Sequence, residues 1–164
     1  MADDWLNAMR HTVNMVEDSK ILPMVLGEFR KQNPFICEEI VLRCFWQARF
    51  EVHKSRGYTG DGGIDGVCIM EGCRFPVQVK RYQGHVNLSH IEEFTALIRR
   101  QRASNPSVVA GFFVHSGKTG ATSKAVINYG QEIILISGSA LVHLLLDPIV
   151  ALDEILGKYY DKSR

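Results

Sequence analysis

Apolar positions along this chain follow two periods, and the change of period divides the sequence into helices and strands. A spacing of three or four residues is typical of a helix, whereas alternating or continuous short apolar runs are typical of strands. Helices are predicted over 3–31, with a break or a new start at Pro23, over 35–48, about 89–102 and 119–129, from a cap at 137–139 to 146, and over 148–160. Strands are predicted over 50–53, 64–70, 75–79, 107–115 and 132–136.

The order of these elements predicts an α/β fold with a mixed sheet of about five strands flanked by helices. A hairpin makes the first part of the sheet antiparallel, and the later strands, which alternate with helices, are expected to be parallel. The helix after 89 is expected to begin with a capping box of Ser89 and Glu92. Residues 33–164 are predicted to form this domain, and residues 1–32 an added N-terminal helical segment used for packing or dimerisation.

The hairpin between 64 and 80 brings polar side chains together. If Gly72-Cys73 is the two-residue loop, Asp65 faces Lys80 on the neighbouring strand. Gln78 lies two residues before Lys80 and therefore projects from the same side of the sheet. A one-residue change of loop length would move Asp65 to the other side unless a bulge compensated.

A carboxylate, an amide oxygen and a second carboxylate from a packed helix form the kind of oxygen site that Mg²⁺ prefers. In the helix over 35–48, Glu38 lies at the margin of the apolar face and Glu39 on a more exposed face. Glu38 is therefore the better candidate, although both glutamates also suit the positive end of a helix dipole. A metal there would lower the pKa of a bound water, and Lys80 would orient that water and stabilise charge on a phosphate, as phosphodiester hydrolysis requires.

The motifs that carry this constellation resemble those of a known nuclease family. They read Cys37-Glu38-Glu39-Ile40-Val41, Gly62-Gly63-Ile64-Asp65 and Val77-Gln78-Val79-Lys80-Arg81-Tyr82. Over residues 35–146 the chain resembles the Mrr-type branch of the restriction-endonuclease-like, or PD-(D/E)xK, nucleases, in which Gln-x-Lys replaces Glu-x-Lys. The resemblance implies catalytic roles for Glu38, Asp65, Gln78 and Lys80, with the first three holding Mg²⁺ or Mn²⁺. Two departures, at Cys37 and Arg49, remove no proposed metal ligand.

Four further residues are candidates for contact with the substrate. Arg81 and Tyr82 follow Lys80, and are suited to pair with a phosphate and to stack on a base, with packing at a strand end as the alternative. Lys118 and Thr122 lie where a buried strand leads into a helix, a place where a DNA phosphate can bind. Simple helix capping explains that segment equally well. Gly117-Lys118-Thr119 lacks the upstream glycine spacing of a nucleotide-binding loop.

Composition excludes several classes of protein. The chain has 164 residues, 46% hydrophobic, and a formal net charge of +1, so any contact with nucleic acid must be local. No apolar run approaches the roughly 18 residues of a membrane span, which predicts no membrane partner and a cytoplasmic location. The four cysteines are spaced unlike a zinc site and are expected to be free, buried thiols.

We therefore expect a Mg²⁺-dependent DNA endonuclease of the restriction type. Because cutting both strands of a duplex with one small domain usually needs two active sites, a homodimer is expected. Two alternatives stay open. A structure-specific nuclease, such as a Holliday-junction resolvase, would prefer branched DNA, and a non-catalytic DNA-binding or interaction module would bind DNA without cutting it.

Overall fold

The computed structural model describes residues 1–55 and 63–162. Within these residues, one sheet contains five strands in the order β1-β2-β3-β4-β5. They are β1 (Glu51–Lys54), β2 (Gly66–Met70), β3 (Cys73–Lys80), β4 (Gly111–His115) and β5 (Ile133–Ser137). The first three strands are antiparallel neighbours, whereas β3, β4 and β5 run parallel. The predicted α/β fold with a mixed sheet of about five strands is confirmed.

Helices cover both faces of this sheet. They are α1 (Ala2–Thr12), α2 (Asp18–Lys31), α3 (Pro34–Gln47), α4 (Leu88–Ser104), α5 (Ala121–Gly130), α6 (Ser139–Leu146) and α7 (Pro148–Lys162). On one face, α1, α2, α3, α6 and α7 share a hydrophobic cluster with the sheet, and on the other α4 and α5 share a second cluster with it. Every residue of β4 is buried, as a central strand between two helical layers requires. None of the helices in the described ranges is long and apolar enough to cross a membrane.

Aromatic packing fixes the position of α3 on the sheet. The Phe45 ring of α3 lies 4.7 Å from that of Phe112 in β4, and Phe75 of β3 lies 5.2 Å from Phe112 between ring centroids. At the start of the helix, Asn33 Oδ1 accepts a hydrogen bond from the Ile36 N–H at 2.9 Å, and Pro34 occupies the first turn. The cap and the aromatic contact fix the beginning of α3 and its position on the sheet, and the two glutamates, Glu38 and Glu39, lie between them.

The predicted hairpin loop is wrong by one position. Met70 pairs with Cys73, so the two-residue loop is Glu71-Gly72 and not Gly72-Cys73. Both loop residues have positive φ, 51° and 79°, which is the backbone of a type I′ turn and matches the twist of the strands. Extending the observed ladder from Gly66 opposite Val77 sets Asp65 against Gln78 and not against Lys80. The residue of β3 that lies opposite Asp65 therefore moves by two positions, from Lys80 to Gln78. Because side chains alternate with a period of two, Asp65 still lies on the predicted side of the sheet.

Three predictions about the helices and strands also need correction. Pro23 lies inside α2, and the chain instead breaks between α1 and α2, where Val16 is extended. Pro23 is the sixth residue of α2, past its first turn, so its missing N–H removes one helical hydrogen bond, which would otherwise run to the Ser19 carbonyl. Asn87, not Ser89, caps α4, since its Oδ1 accepts from the Ser89 N–H at 3.0 Å. The strand predicted over 107–115 is shorter, and of its first part only Val108 forms an isolated bridge, with Arg74.

The N-terminal helices are joined to the rest of the chain by core packing and by polar contacts. Leu6 of α1 and Phe29 of α2 are fully buried in the same hydrophobic cluster as α3. The guanidinium of Arg10 donates to the Leu145 carbonyl at 3.0 Å and to Gln47 Oε1 at 2.8 Å. The division into residues 1–32 and 33–164 stays a prediction, but the first two helices share the core of the domain.

Candidate active site

The backbone holds the carboxylate of Asp65 against β3. Asp65 directly precedes β2, and its N–H donates to the Val77 carbonyl at 2.8 Å. Its Oδ2 accepts a hydrogen bond from the Val79 N–H at 2.7 Å. A side chain bonded in this way to the neighbouring strand has little freedom to rotate. Asp65 is therefore fixed beside the strand that carries Gln78 and Lys80.

Glu38 reaches the same place from α3. Burial raises the pKa of its carboxyl to about 7, with further contributions from the charge of Asp65 and from a hydrogen bond to the Asp65 side chain, while Lys54 and Lys80 oppose the shift. Glu39 instead forms an ion pair with Lys54 at 3.3 Å between Nζ and Oε1. Of the two glutamates weighed from the sequence, Glu38 is the one that lies beside Asp65.

Gln78 presents an open acceptor to this pair of carboxyl groups. Its side chain is 6% exposed, and its Nε2 donates to the Gly63 carbonyl at 3.2 Å. That hydrogen bond leaves Oε1 as the free end of the amide, and Oε1 is buried without a hydrogen-bond partner among the described residues. A buried acceptor without a partner is costly, and such an atom calls for an explanation. A cation bound to Gln78 Oε1 would satisfy this acceptor.

Gly63 makes the position of the Gln78 amide possible. Its φ is +85°, and a Cβ placed there would lie 2.6 Å from Gln78 Nε2. Glycine avoids both the strain of positive φ and this clash. The glycine-rich stretch of the sequence does not reveal this role, because the contact of Gly63 with Gln78 depends on tertiary structure.

Lys80 lies two residues beyond Gln78 on β3, directly opposite the buried His115 of β4. Lys80 is half-buried, and its positive charge acts to lower the pKa of Glu38. Burial lowers the pKa of His115 to about 4, so the imidazole beside Lys80 is neutral. Its Nδ1 accepts from the Gly117 N–H at 3.1 Å, which leaves the proton on Nε2, 2.9 Å from Thr119 Oγ1. Lys80 thus meets no competing positive charge from its strand neighbour.

The donor atoms fit a small divalent cation. Glu38 and Asp65 supply two carboxylates, and the orphaned Gln78 Oε1 supplies a neutral oxygen, which together form the hard-oxygen environment that Mg²⁺ prefers. The described residues contain no cluster of three or more His, Cys, Asp or Glu side chains in metal-binding proximity. Only two members of the set formed by Glu38, Asp65 and Gln78 belong to those residue types.

The structure places Arg81 and Tyr82 against other parts of the protein. Arg81 Nη1 donates to the Arg30 carbonyl at 2.9 Å, and the Arg30 guanidinium in turn donates to the Ser116 carbonyl. The Tyr82 ring stacks on His90, with centroids 6.0 Å apart, and its hydroxyl hydrogen-bonds to His90 Nδ1. These contacts match the packing alternative, and direct contact of either side chain with substrate stays a prediction.

Lys118 and Thr122 are both exposed near the start of α5. Lys118 is held through its backbone, with its N–H donating to the Gly84 carbonyl at 2.8 Å and its carbonyl accepting from the Val86 N–H at 2.8 Å. Its side chain is therefore presented to solvent from a fixed segment. Gly120 precedes α5 without any side-chain cap, so the first N–H groups of the helix are not satisfied by a capping side chain. Asp61 and Gly62 lie outside the described residues.

An exposed aromatic ring near the site was not recognised from the sequence. Phe35 is 70% exposed, although it is a large apolar side chain in the first turn of α3. It precedes Glu38 by three residues, which places both side chains on neighbouring positions of one helix face. The spacing was available in the sequence, but the exposure of the ring was not.

Comparison with known proteins gives consistent matches. A family model described as a restriction endonuclease, Mrr_cat, matches residues 29–145. The type IV methyl-directed restriction enzyme EcoKMrr of Escherichia coli (strain K12) is 30% identical over 144 residues, which cover 82% of this chain and 45% of that protein. The MspJI restriction endonuclease, solved in complex with a 27-mer oligonucleotide, superposes with a TM-score of 0.59 at 19% identity, covering 89% of this chain and 37% of that one. The chain spans less than half the length of each of these two relatives.

Proposed function

We propose that this chain, which belongs to the Mrr-type restriction endonuclease family, is a divalent-metal-dependent DNA endonuclease that hydrolyses phosphodiester bonds. Family membership supports a DNA endonuclease in general terms. The observation that carries the metal-dependent proposal is the buried Gln78 Oε1, which lacks a partner among the described residues beside the paired carboxyl groups of Glu38 and Asp65.

The proposed ligands are Asp65, Glu38 and the amide oxygen of Gln78, and Mg²⁺ is the expected ion, with Mn²⁺ as a substitute. The bound ion supplies Lewis-acid polarisation of the phosphate and a more acidic water. Asp65 is held by the Val79 N–H, so its carboxylate is already oriented before substrate arrives. Lys80 donates hydrogen bonds to the attacking water and stabilises the negative charge that develops on the phosphate. No side-chain nucleophile takes part.

The DNA backbone is proposed to approach across the start of α5. Lys118 and Thr122 are exposed there, and the first N–H groups of the helix, which no N-cap side chain satisfies, favour an anion. With a net charge of only +1, affinity depends on such local contacts. A homodimer, which would bring two active sites to a duplex, and a cytoplasmic location are also part of the proposal.

The deciding experiment measures cleavage of supercoiled plasmid DNA and of a four-way junction in Mg²⁺, Mn²⁺ or EDTA. Asp65→Ala and Lys80→Ala are expected to lower the rate at least roughly 100-fold. Glu39→Gln is the matched control, because Glu39 lies next to Glu38 but pairs with Lys54, and it should cut at nearly the native rate.

The substrate and metal profile separates the hypotheses. Cutting that needs the metal, Asp65 and Lys80 supports the proposal, and a marked preference for the junction would move it to the structure-specific class. DNA binding without any cutting in either metal would refute the enzyme and favour a binding module that keeps the fold.

A further inference from the structure

A groove runs along the outer edge of the sheet, two strands away from β3. It has a volume of about 720 Å³ and lies between α5 on one side of β5 and α6 and α7 on the other. Its floor is apolar and is formed by Ile133, Leu135 and Ile155 among others. None of the residues proposed for catalysis lines it. The groove therefore belongs to a separate surface of the molecule.

The floor of this groove is an open strand edge. β5 pairs with β4 on one side only, and no strand of the described chain lies on its other side. The Gly111 N–H donates to the Glu132 carbonyl at 2.8 Å, which fixes the alternation of the parallel ladder. Ile134 and Ile136 accordingly direct their N–H and C=O groups at β4, whereas Ile133 and Leu135 direct theirs away from it, into the groove.

Unpaired backbone N–H and C=O groups at the edge of an apolar strand are normally covered by another segment or flanked by charged side chains, because otherwise they can pair with another chain. Here the neighbouring helices stand on either side of the strand with the groove between them, and of the β5 residues that line it Leu135 is partly exposed, whereas Ile133 and Ile134 are buried. An extended peptide laid in the groove would find backbone partners at alternate residues and apolar contacts on both sides. This is the arrangement that strand addition requires.

The charge of the groove selects the kind of peptide. Its walls carry Lys124 of α5 and Lys158 and Lys162 of α7, all exposed, and no aspartate or glutamate of the described residues lines it. A segment with acidic side chains would pair with these lysines. A second copy of this chain would instead set the same lysines against each other. Duplex DNA would match the lysines but would leave the apolar floor and the strand edge unused.

We propose that the β5 groove binds an extended, acidic segment of a partner protein by adding it as a strand to the edge of the sheet. The acidic side chains of the segment pair with Lys124, Lys158 and Lys162, and its apolar side chains cover the floor. The site is independent of the nuclease reaction, and its test does not require cleavage activity.

The test uses nine-residue peptides with capped ends and the uniformly ¹⁵N-labelled chain. One peptide repeats two valines followed by two glutamates, which places both residue types on each face of the added strand. A second has glutamine in place of every glutamate, and a third repeats the first with N-methylated alternate amides. Backbone amide exchange is followed by NMR. On binding the acidic peptide, exchange is expected to slow at Ile133 and Leu135 but not at Ile134 and Ile136, whose N–H groups are already bonded to β4. The glutamine and N-methylated peptides should bind at least roughly tenfold more weakly.

Charge reversal supplies the matched variants. Lys158→Glu lies in the groove and is expected to weaken the acidic peptide, whereas Lys20→Glu makes the same charge change on α2, where Lys20 pairs with Glu17 on the helix surface. Both positions are exposed, so both variants should fold, and a native amide spectrum checks this. Equal binding of the acidic and glutamine peptides, or protection outside β5, would overturn the proposal. So would protection of Ile133 and Leu135 by a DNA duplex, or by self-association of the chain alone.

Discussion

Replacing Glu38 with glutamine is predicted to stabilise the metal-free protein at alkaline pH while abolishing metal-dependent cleavage. Glu38 lies beside Asp65 in a partly buried place, where burial is the main cause of its raised pKa and the negative charge of Asp65 the next. A glutamine of the same shape removes one of the two charges, and its amide donates a hydrogen bond to the remaining carboxylate. The ionised Glu38 side chain therefore lowers the stability of the metal-free protein.

The size of this cost follows from the pKa. The value rises from an ordinary 4.5 to about 7, so the folded protein binds the proton more tightly than the unfolded chain does. The associated stability is present below about pH 4.5 and is lost as the pH rises through 7. At about 1.4 kcal/mol per pKa unit, the rise from 4.5 to about 7 corresponds to a full loss of about 3.5 kcal/mol. Because the carboxyl is only partly buried, solvent screening reduces the expected change between pH 5 and pH 8 to about 1–2 kcal/mol.

The measurement is urea unfolding in EDTA at pH 5 and pH 8 for the native chain and for Glu38→Gln. The stability advantage of Glu38→Gln should grow by about 1–2 kcal/mol between the two pH values, which is roughly 0.5–1 M in the urea midpoint. Glu39→Gln is the control, since Glu39 is paired with Lys54 and should show no such gain. An equal pH dependence of unfolding in the native chain and in Glu38→Gln would refute the assignment of the proton to this carboxyl pair.

Three further predictions test the surroundings of the site. Gln78→Glu loses the donor to the Gly63 carbonyl, so the free energy of unfolding in EDTA should fall by about 1–3 kcal/mol. The lost stability should return when Mg²⁺ is added, as measured by thermal melting with and without the ion. Gly63→Ala should destabilise the fold and slow cleavage more than Gly72→Ala, because both residues have positive φ but only a side chain at position 63 would clash with Gln78. Equal effects of the two substitutions in urea unfolding and plasmid cleavage would argue against that contact. Lys118→Ala should weaken DNA binding uniformly across sequences and reduce the slope of log affinity against log salt by about 1, whereas Lys20→Ala should leave both unchanged in a fluorescence titration.

The strands were predictable because their apolar pattern is local and strong. The runs that became β2, β3 and β5 were located within a few residues, and the alternation of strands with helices was enough to predict the parallel half of the sheet. The strand predicted over 107–115 was too long, because Val108 and Ala110 are also buried although Val108 forms only an isolated bridge, to Arg74. An apolar run in the sequence therefore indicates that its side chains are buried, but not that its backbone is hydrogen-bonded to a neighbouring strand.

The helix ends were less predictable because several polar residues compete to cap them. Asn87 and Ser89 are both good N-cap residues, and the sequence does not say which one takes the extended conformation that a cap needs. A proline inside a helix removes one hydrogen bond and favours a break, yet α2 continues through Pro23, and the chain separates α1 from α2 at Val16 without a proline. In both cases the outcome depends on where the helix packs.

The polar constellation survived an error in the hairpin because of the period of a strand. The observed loop, Glu71-Gly72, shifts the pairing by two positions along β3, and side chains alternate with a period of two, so Asp65, Gln78 and Lys80 keep one side. A shift of the strand pairing by one residue, instead of two, would have separated them. The sequence pattern could not show the approach of Glu38 across the sheet edge or the unpartnered oxygen of Gln78, since both arise from packing between distant segments. Those two features, and not the local motif, support the proposal that these neighbouring polar residues hold a cation.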